Sequence, residues 1–368
     1  MQVITGGKMD INKYRELLKN TVRYDLPGYI LQKIINNLVN SKFAAYIDEE
    51  KNDNPDLISI STDLSRQERI IKCLDRAPEN TIPIIERIFI EKGYRYSLYY
   101  KCDKFIIRNE LNEYNSLNDY SPISINNGVI KDFHNPILFE QGEKVIIRFI
   151  KEINPYYTKI DKSEYILYPT LWIYHKDLKI LEHRFDSLSF KGDDNFYNTT
   201  KDSQISMLRS SYMFEINEFR TNKLIDKIVD ENKNEVHLKG QDIGLKGNSS
   251  AKLKVGSNNV MPFIGDLEEL IENNKEKLYF NEESTKLTKI FTDYINEVKK
   301  EAKYKSRLIE ISTDGEVKLN VIINVFFSYR ENIYDLYNFL ESNKIGMEMM
   351  NNAIKYISKF YTANKDDK

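Results

Sequence analysis

The chain has 368 residues, enough for two or three domains, and its 41% hydrophobic and 30% charged content excludes a disordered or collagen-like polymer. Lys plus Arg number 54 against 56 Asp plus Glu, so the net charge of -2 excludes a uniformly basic coat for nucleic acid and leaves only local patches. Cys73 and Cys102 are too few for a disulfide scaffold or a cysteine zinc site and suit a reducing cytosol, and no apolar run reaches the roughly 18 residues of a membrane span. The expected location is therefore cytoplasmic.

Apolar residues recur at helical spacing from Ile11 to Leu18 and from Ile30 to Leu38, with Leu26-Pro27-Gly28 between them, which predicts a helical hairpin. An acidic loop from Asp48 to Asp56 leads to a short strand at Leu57 to Ile60. Ser61-Thr62-Asp63 then starts a helix over Leu64 to Arg76. Thr81 is placed to cap a further helix that accepts Pro83 in its first turn. The segments Tyr96 to Tyr100 and Phe105 to Arg108 flank a turn and predict a β-hairpin, so that the first 110 residues have a possible winged-helix-like plan.

A polar stretch, 109–127, marks a boundary, and residues 128–368 form the second predicted domain. Val145 to Ile150, Tyr165 to Tyr174 and Leu178 to Phe185 are rich in β-branched and aromatic residues. The last two are joined at Lys176-Asp177, giving a mostly antiparallel sheet. Both faces of Tyr165 to Tyr174 are apolar or aromatic, so Trp172 is expected to be buried. Helical spacing from Ser203 to Val229 predicts one long helix, or two in tandem, covering that sheet. A hairpin of Glu235 to Lys239 with Ala251 to Val255 encloses a glycine-rich loop within 237–260. The rest reads as helices at Gly265 to Asn274 and Ser284 to Tyr304, strands at Leu308 to Ser312 and Glu316 to Phe327 about Asp314-Gly315, and helix from Arg330 onward. The expected class is α+β: an N-terminal helical unit, then a central antiparallel sheet covered by helices.

No P-loop, Gly-x-Ser-x-Gly elbow or paired-cysteine motif is present. The glycine-rich loop groups Lys239, Lys246, Lys252 and Lys254, which could grip a phosphate backbone. Arg69, Lys72 and Arg76 share a helix face at i, i+3 and i+7 and form a second candidate nucleic-acid contact. His134, His175, His183 and His237 are the only histidines. With a turn at Lys176-Asp177, His175 and His183 lie too far apart to share a metal. Asp314, Glu316 and Lys318 look like the acidic and Glu-x-Lys cluster of metal-dependent nucleases, although a hairpin turn explains them better. Asp186, Asp193 and Asp194 are a loop cluster with the same reservation. Cys73 reads as a small core residue.

These features favour a non-enzymatic component, without a cofactor, that contacts nucleic acid or forms a complex with a protein partner or with itself. The low-GC style of the composition, with Lys, Asn, Ile and Tyr abundant, suggests a bacterial mobile-element or phage-defence setting. A degenerate metal-dependent nuclease and a structural adaptor are the alternatives.

Overall fold

The computed structural model describes residues 9–47, 54, 56–107, 113–114, 123–124, 129–130, 136–158, 161–188, 195–244, 250–254, 262–301, 303–315, 318–328 and 334–363. The chain forms two compact units, residues 1–217 with 342–348 and residues 218–341 with 349–368, a division that does not coincide with the expected boundary at 109–127. The class is α+β, with helices leading and antiparallel sheet following.

In the first unit the predicted helical hairpin forms as Ile11–Tyr24 and Gly28–Asn40, the first started by the Asp10 carboxylate accepting from the Asn12 amide. Arg66–Arg76 and Pro78–Glu91 follow. Their starts differ from expectation because better caps lie nearby. Ser65 and Glu68 make a reciprocal capping box, so the helix begins after Ser65 and not at Ser61. Pro78 sits in the first turn of the next helix, while the Thr81 hydroxyl bonds back to the Ala77 carbonyl. The apolar stripes of all four helices meet in one core: Leu18 and Val22, Ile34 and Ile35, Ile70 and Leu74, Ile85 and Phe89. Leu167 and Ile150 of the sheet belong to that core, and the Leu167 amide donates to Thr21 Oγ1 at 2.9 Å.

The strands of the main sheet in this unit lie in the order Tyr96–Lys101, Ile180–Phe185, Ile166–His175, Lys144–Ile153, Ile137–Gln141 and Glu113–Tyr114. All pairs are antiparallel except the last, which is parallel. The winged-helix-like hairpin is not formed. Tyr96–Lys101 pairs with Ile180–Phe185, and Phe105–Ile107 pairs instead with Tyr212–Phe214, a strand inside the stretch predicted as helix. Long-range pairing of an aromatic strand against the sheet outcompeted the local turn, because it buries Leu98, Tyr99 and Tyr100.

All ten residues of Ile166–His175 are buried, and Trp172 has no exposed surface, as its two-faced apolar pattern predicts. Helix Phe196–Ser211 covers the Trp172 face: the indole Nε1 donates to Gln204 Oε1 at 2.9 Å, and Gln204 Nε2 donates to Thr170 Oγ1 at 2.8 Å. The hairpin after this strand is longer than the predicted Lys176-Asp177 turn, since His175 pairs with Ile180 and not with Leu178. Lys179 takes a positive φ of 54° to close it. Segment 342–348 passes so close to Gly93 that a Cβ there would strike the carbonyl oxygens of Ser342 and Ile345.

In the second unit five antiparallel strands run in the order Ser250–Lys254, Val236–Gly244, Lys303–Thr313, Leu319–Phe326 and Leu336–Phe339. The last of these replaces the start of the helix expected from Arg330; the helix itself is Met347–Ala363. Val236, Leu238, Ile309, Ile311, Val321, Ile323 and Val325 line the buried face. Helix Asn222–Glu231 packs there with Leu224, Ile225 and Ile228, and Asp226 pairs with Arg307 at 3.0 Å. Its start is fixed by the buried Asp335 carboxylate, which accepts from the Thr221 amide and hydroxyl at 2.7 and 2.9 Å.

Candidate interaction surface

Charge is built into the face of the first sheet that meets the four N-terminal helices, opposite to the Trp172 face. Strand register puts Arg148, His175, Glu182, Arg184 and Ser97 on that face, all of them buried. Arg184 grips Glu182 with Nε and Nη2, each at 2.7 Å, in a bidentate fork. Ser97 donates to Glu182 Oε1 at 2.7 Å, and His175 Nε2 lies 2.9 Å from Oε2. Burial by itself would raise the Glu182 carboxyl, but Arg184 and His175 outweigh it and hold it at about 2. Glu86 neutralises Arg148 and takes a hydrogen bond from Tyr14 in the same manner. The Ser97 hydroxyl points at a carboxylate and not at the imidazole, so the serine and histidine do not form a nucleophile–base pair. The network keeps buried charges paired.

His183 faces the opposite side of the sheet from His175, because it pairs with Trp172 in the ladder. Alternation of faces, and not distance along the ribbon, is what keeps the two imidazoles from sharing a metal. Its ring stacks on Trp172 with centroids 4.4 Å apart, and burial, aided by Lys201, pushes its imidazole down to about 3.

Some of the basic candidates are engaged by local partners. Residues 240–244, expected as loop, are strand paired on both sides, so Gly240 and Gly244 do not offer bare backbone N–H groups. Lys239 occupies a β-bulge and is bound to Glu310 at 2.7 Å. Lys252 is exposed; Lys254 lies on the same short strand, and Lys246 lies outside the described residues. On the Arg66–Arg76 helix, Arg69 donates to the Ser61 and Thr62 carbonyls at 2.9 and 2.6 Å and stacks over Tyr46, which uses its guanidinium locally. Lys72 is half-buried and Arg76 exposed.

Of the nuclease-like triplet, Asp314 and Lys318 lie off the strands. The hairpin pairs Thr313 with Leu319, so its connection is 314–318 and not the two residues Asp314-Gly315. Asp314 and Lys318 are exposed there, and Glu316 lies outside the described residues. Among the described residues no group of three or more His, Cys, Asp or Glu could hold a metal ion. Asp186 is committed to Lys92 and to the Arg95 amide, while Asp193, Asp194 and His134 lie outside the described residues. Cys73 is buried as expected, and burial pushes its thiol up to about 11 and that of Cys102 to about 12.

An open groove of about 620 Å³ in the first unit is lined by Lys104, Ile106, Arg209, Met213 and Glu215, a mixture of charges that selects no ligand class. The most distinctive surface lies elsewhere. On helix Glu282–Glu301, Leu287, Ile290, Phe291 and Tyr294 are 52%, 63%, 44% and 61% exposed, and Phe280 just before it is 84% exposed. Their spacing, i, i+3, i+4 and i+7, puts the four in one sector. The side of the helix that carries Thr288 and Ile295 is buried instead. Thr288 Oγ1 donates to the Leu278 carbonyl at 3.0 Å. Its apolar pattern was readable in the sequence; which side of it meets the core was not. Among the described residues no helix is long and apolar enough to cross a membrane. No known family model matches the chain, and no curated protein matches it.

Proposed function

We propose that the protein is a non-enzymatic, complex-forming component whose contact element is the helix Glu282–Glu301. The observation that carries this reading is the exposed row Leu287, Ile290, Phe291 and Tyr294, extended by Phe280. Scattered exposed apolar residues are ordinary, but contiguous ones on one regular element are costly in water and mark contact surfaces. Aromatic residues supply two of the four, as at the centres of interfaces. The cations favoured for nucleic-acid contact are less well placed, since Lys239 and Arg69 already serve local partners. The mobile-element or phage-defence setting is supported by composition alone.

A photo-crosslinking amino acid at position 290, introduced in the producing cell, tests the reading, with position 296 on the opposite exposed side of the helix as control. A discrete adduct from 290 and none from 296 is expected. Equal labelling, or no adduct from either position, would show that the helix is an ordinary solvated face.

A further inference from the structure

We propose that the helix Glu282–Glu301 docks against the same helix of a second copy of this chain, antiparallel, about a two-fold axis beside Ile290 and Phe291. This deepens the reading of that helix as the contact element and rests on it.

The occupant follows from the order of charges. Along the helix the signs run acidic at Glu282 and Glu283, basic at Lys286 and Lys289, acidic at Asp293 and Glu297, then basic again in a lysine pair at 299–300. Reversing that order turns each of these four blocks into its opposite, with the terminal Glu301 outside the pattern. An antiparallel copy therefore sets Lys289 against Asp293, twice by symmetry, whereas a parallel copy turns this charged border toward the other border of its partner. The apolar residues are symmetric about a point within half a residue of the Lys289–Asp293 centre: Leu287 meets Tyr294, and Ile290 meets Phe291.

Angular placement agrees. At 3.6 residues per turn the four apolar side chains occupy a sector roughly 100° wide, and Lys286, Lys289, Asp293 and Glu297 lie along one border of it. In an antiparallel pair, equivalent borders face each other, which is the arrangement those charges require. The buried side, Ser284, Thr288, Thr292 and Ile295, is centred roughly a third of a turn from the apolar sector, so each copy's body leans away from the other. The ion pair Lys286–Glu282, 2.7 Å within one helix, is exposed and so is free to exchange partners. A lipid surface is the less suitable occupant, because a membrane-lying helix carries a cationic polar face and this one is mixed in sign.

The test is sedimentation equilibrium of the full chain from about 1 to 100 µM, the span in which a contact of this size is populated. Wild type should change from one to two copies in mass. Lys289→Asp and Asp293→Lys should each weaken self-association at least tenfold, since either places like charges together. An equimolar mixture of the two variants should recover wild-type affinity, because each then supplies what the other lacks. Ile290→Glu should remain a single copy, with circular dichroism unchanged. A wild-type chain that stays a single copy at 100 µM would overturn the proposal, as would a mixture no tighter than its components, or Ile290-dependent binding to phosphatidylcholine–phosphatidylserine vesicles by single copies. If position 290 still crosslinks a different protein in that case, self-pairing fails while the contact element stands. If it crosslinks nothing, both fail.

Discussion

Removing the Glu182 carboxylate should be among the most damaging single changes in the first unit. Glu182 and Arg184 have no exposed surface, and the carboxylate receives both arms of the Arg184 fork together with Ser97 and His175. Glu182→Ala takes from the buried guanidinium the carboxylate that holds both arms of its fork, a loss of about 3 to 5 kcal/mol. With a urea m-value of about 2.5 kcal/mol/M this lowers the midpoint by about 1 to 2 M. Glu182→Leu with Arg184→Met removes both charges at near-constant volume and should be clearly less damaging than the sum of the two single changes. Trp172 is the natural reporter, being the only tryptophan, fully buried, and on the strand next to Glu182. Its emission should move to longer wavelength on unfolding. A Glu182→Ala midpoint within 0.3 M of wild type, or a double variant as damaged as the summed singles, would refute the claim that each charge of the pair depends on the other in a low-dielectric core.

Acid should weaken the same unit in two stages. His183 stands at about 3 when folded against 6.5 ordinarily, so the unfolded chain takes its proton first: stability is full above about pH 6.5 and falls toward pH 3 by about 1.4 kcal/mol per unit. Glu182, at about 2 against 4.5, adds a further loss between those values, and His183→Phe should flatten the fall from about pH 6.5 to 4.5 and leave the Glu182 loss below it in urea titrations. Both thiols, held at about 11 and 12, should resist a disulfide reagent at pH 8 and react fully in urea; fast native labelling would contradict their burial. Gly93→Ala should cost several kcal/mol, since the obstruction is backbone carbonyl and cannot rotate aside, and a thermal midpoint equal to wild type would count against that close approach. If the chain binds duplex DNA through its Lys239 to Lys254 hairpin, Lys252→Ala should lower the salt slope by about 0.9 and Lys239→Ala by less, because Glu310 already neutralises it. Equal slopes for all three proteins would exclude the hairpin.

Periodicity alone was enough for the existence of the helical hairpin at Ile11–Tyr24 and Gly28–Asn40, the buried strand around Trp172 and the helix Glu282–Glu301, because each carries its apolar period locally over three or more turns or a full strand. Partner choice was not readable in that way. Tyr96–Lys101 looked like half of a hairpin, yet it pairs with a strand some eighty residues further on, where its aromatic residues find a deeper core. The glycines at 240 and 244 resembled loop, yet ladder hydrogen bonds on both sides override their weak strand preference. Charges followed the same rule: Glu182, Arg184 and His175 are unremarkable in order along the chain, and only antiparallel register places them on one buried face. The apolar stripe Leu287, Ile290, Phe291 and Tyr294 is the plainest case. Its period is a property of the sequence, but its exposure is decided by which other face of the helix, Thr288 and Ile295, the folded unit takes for its own core.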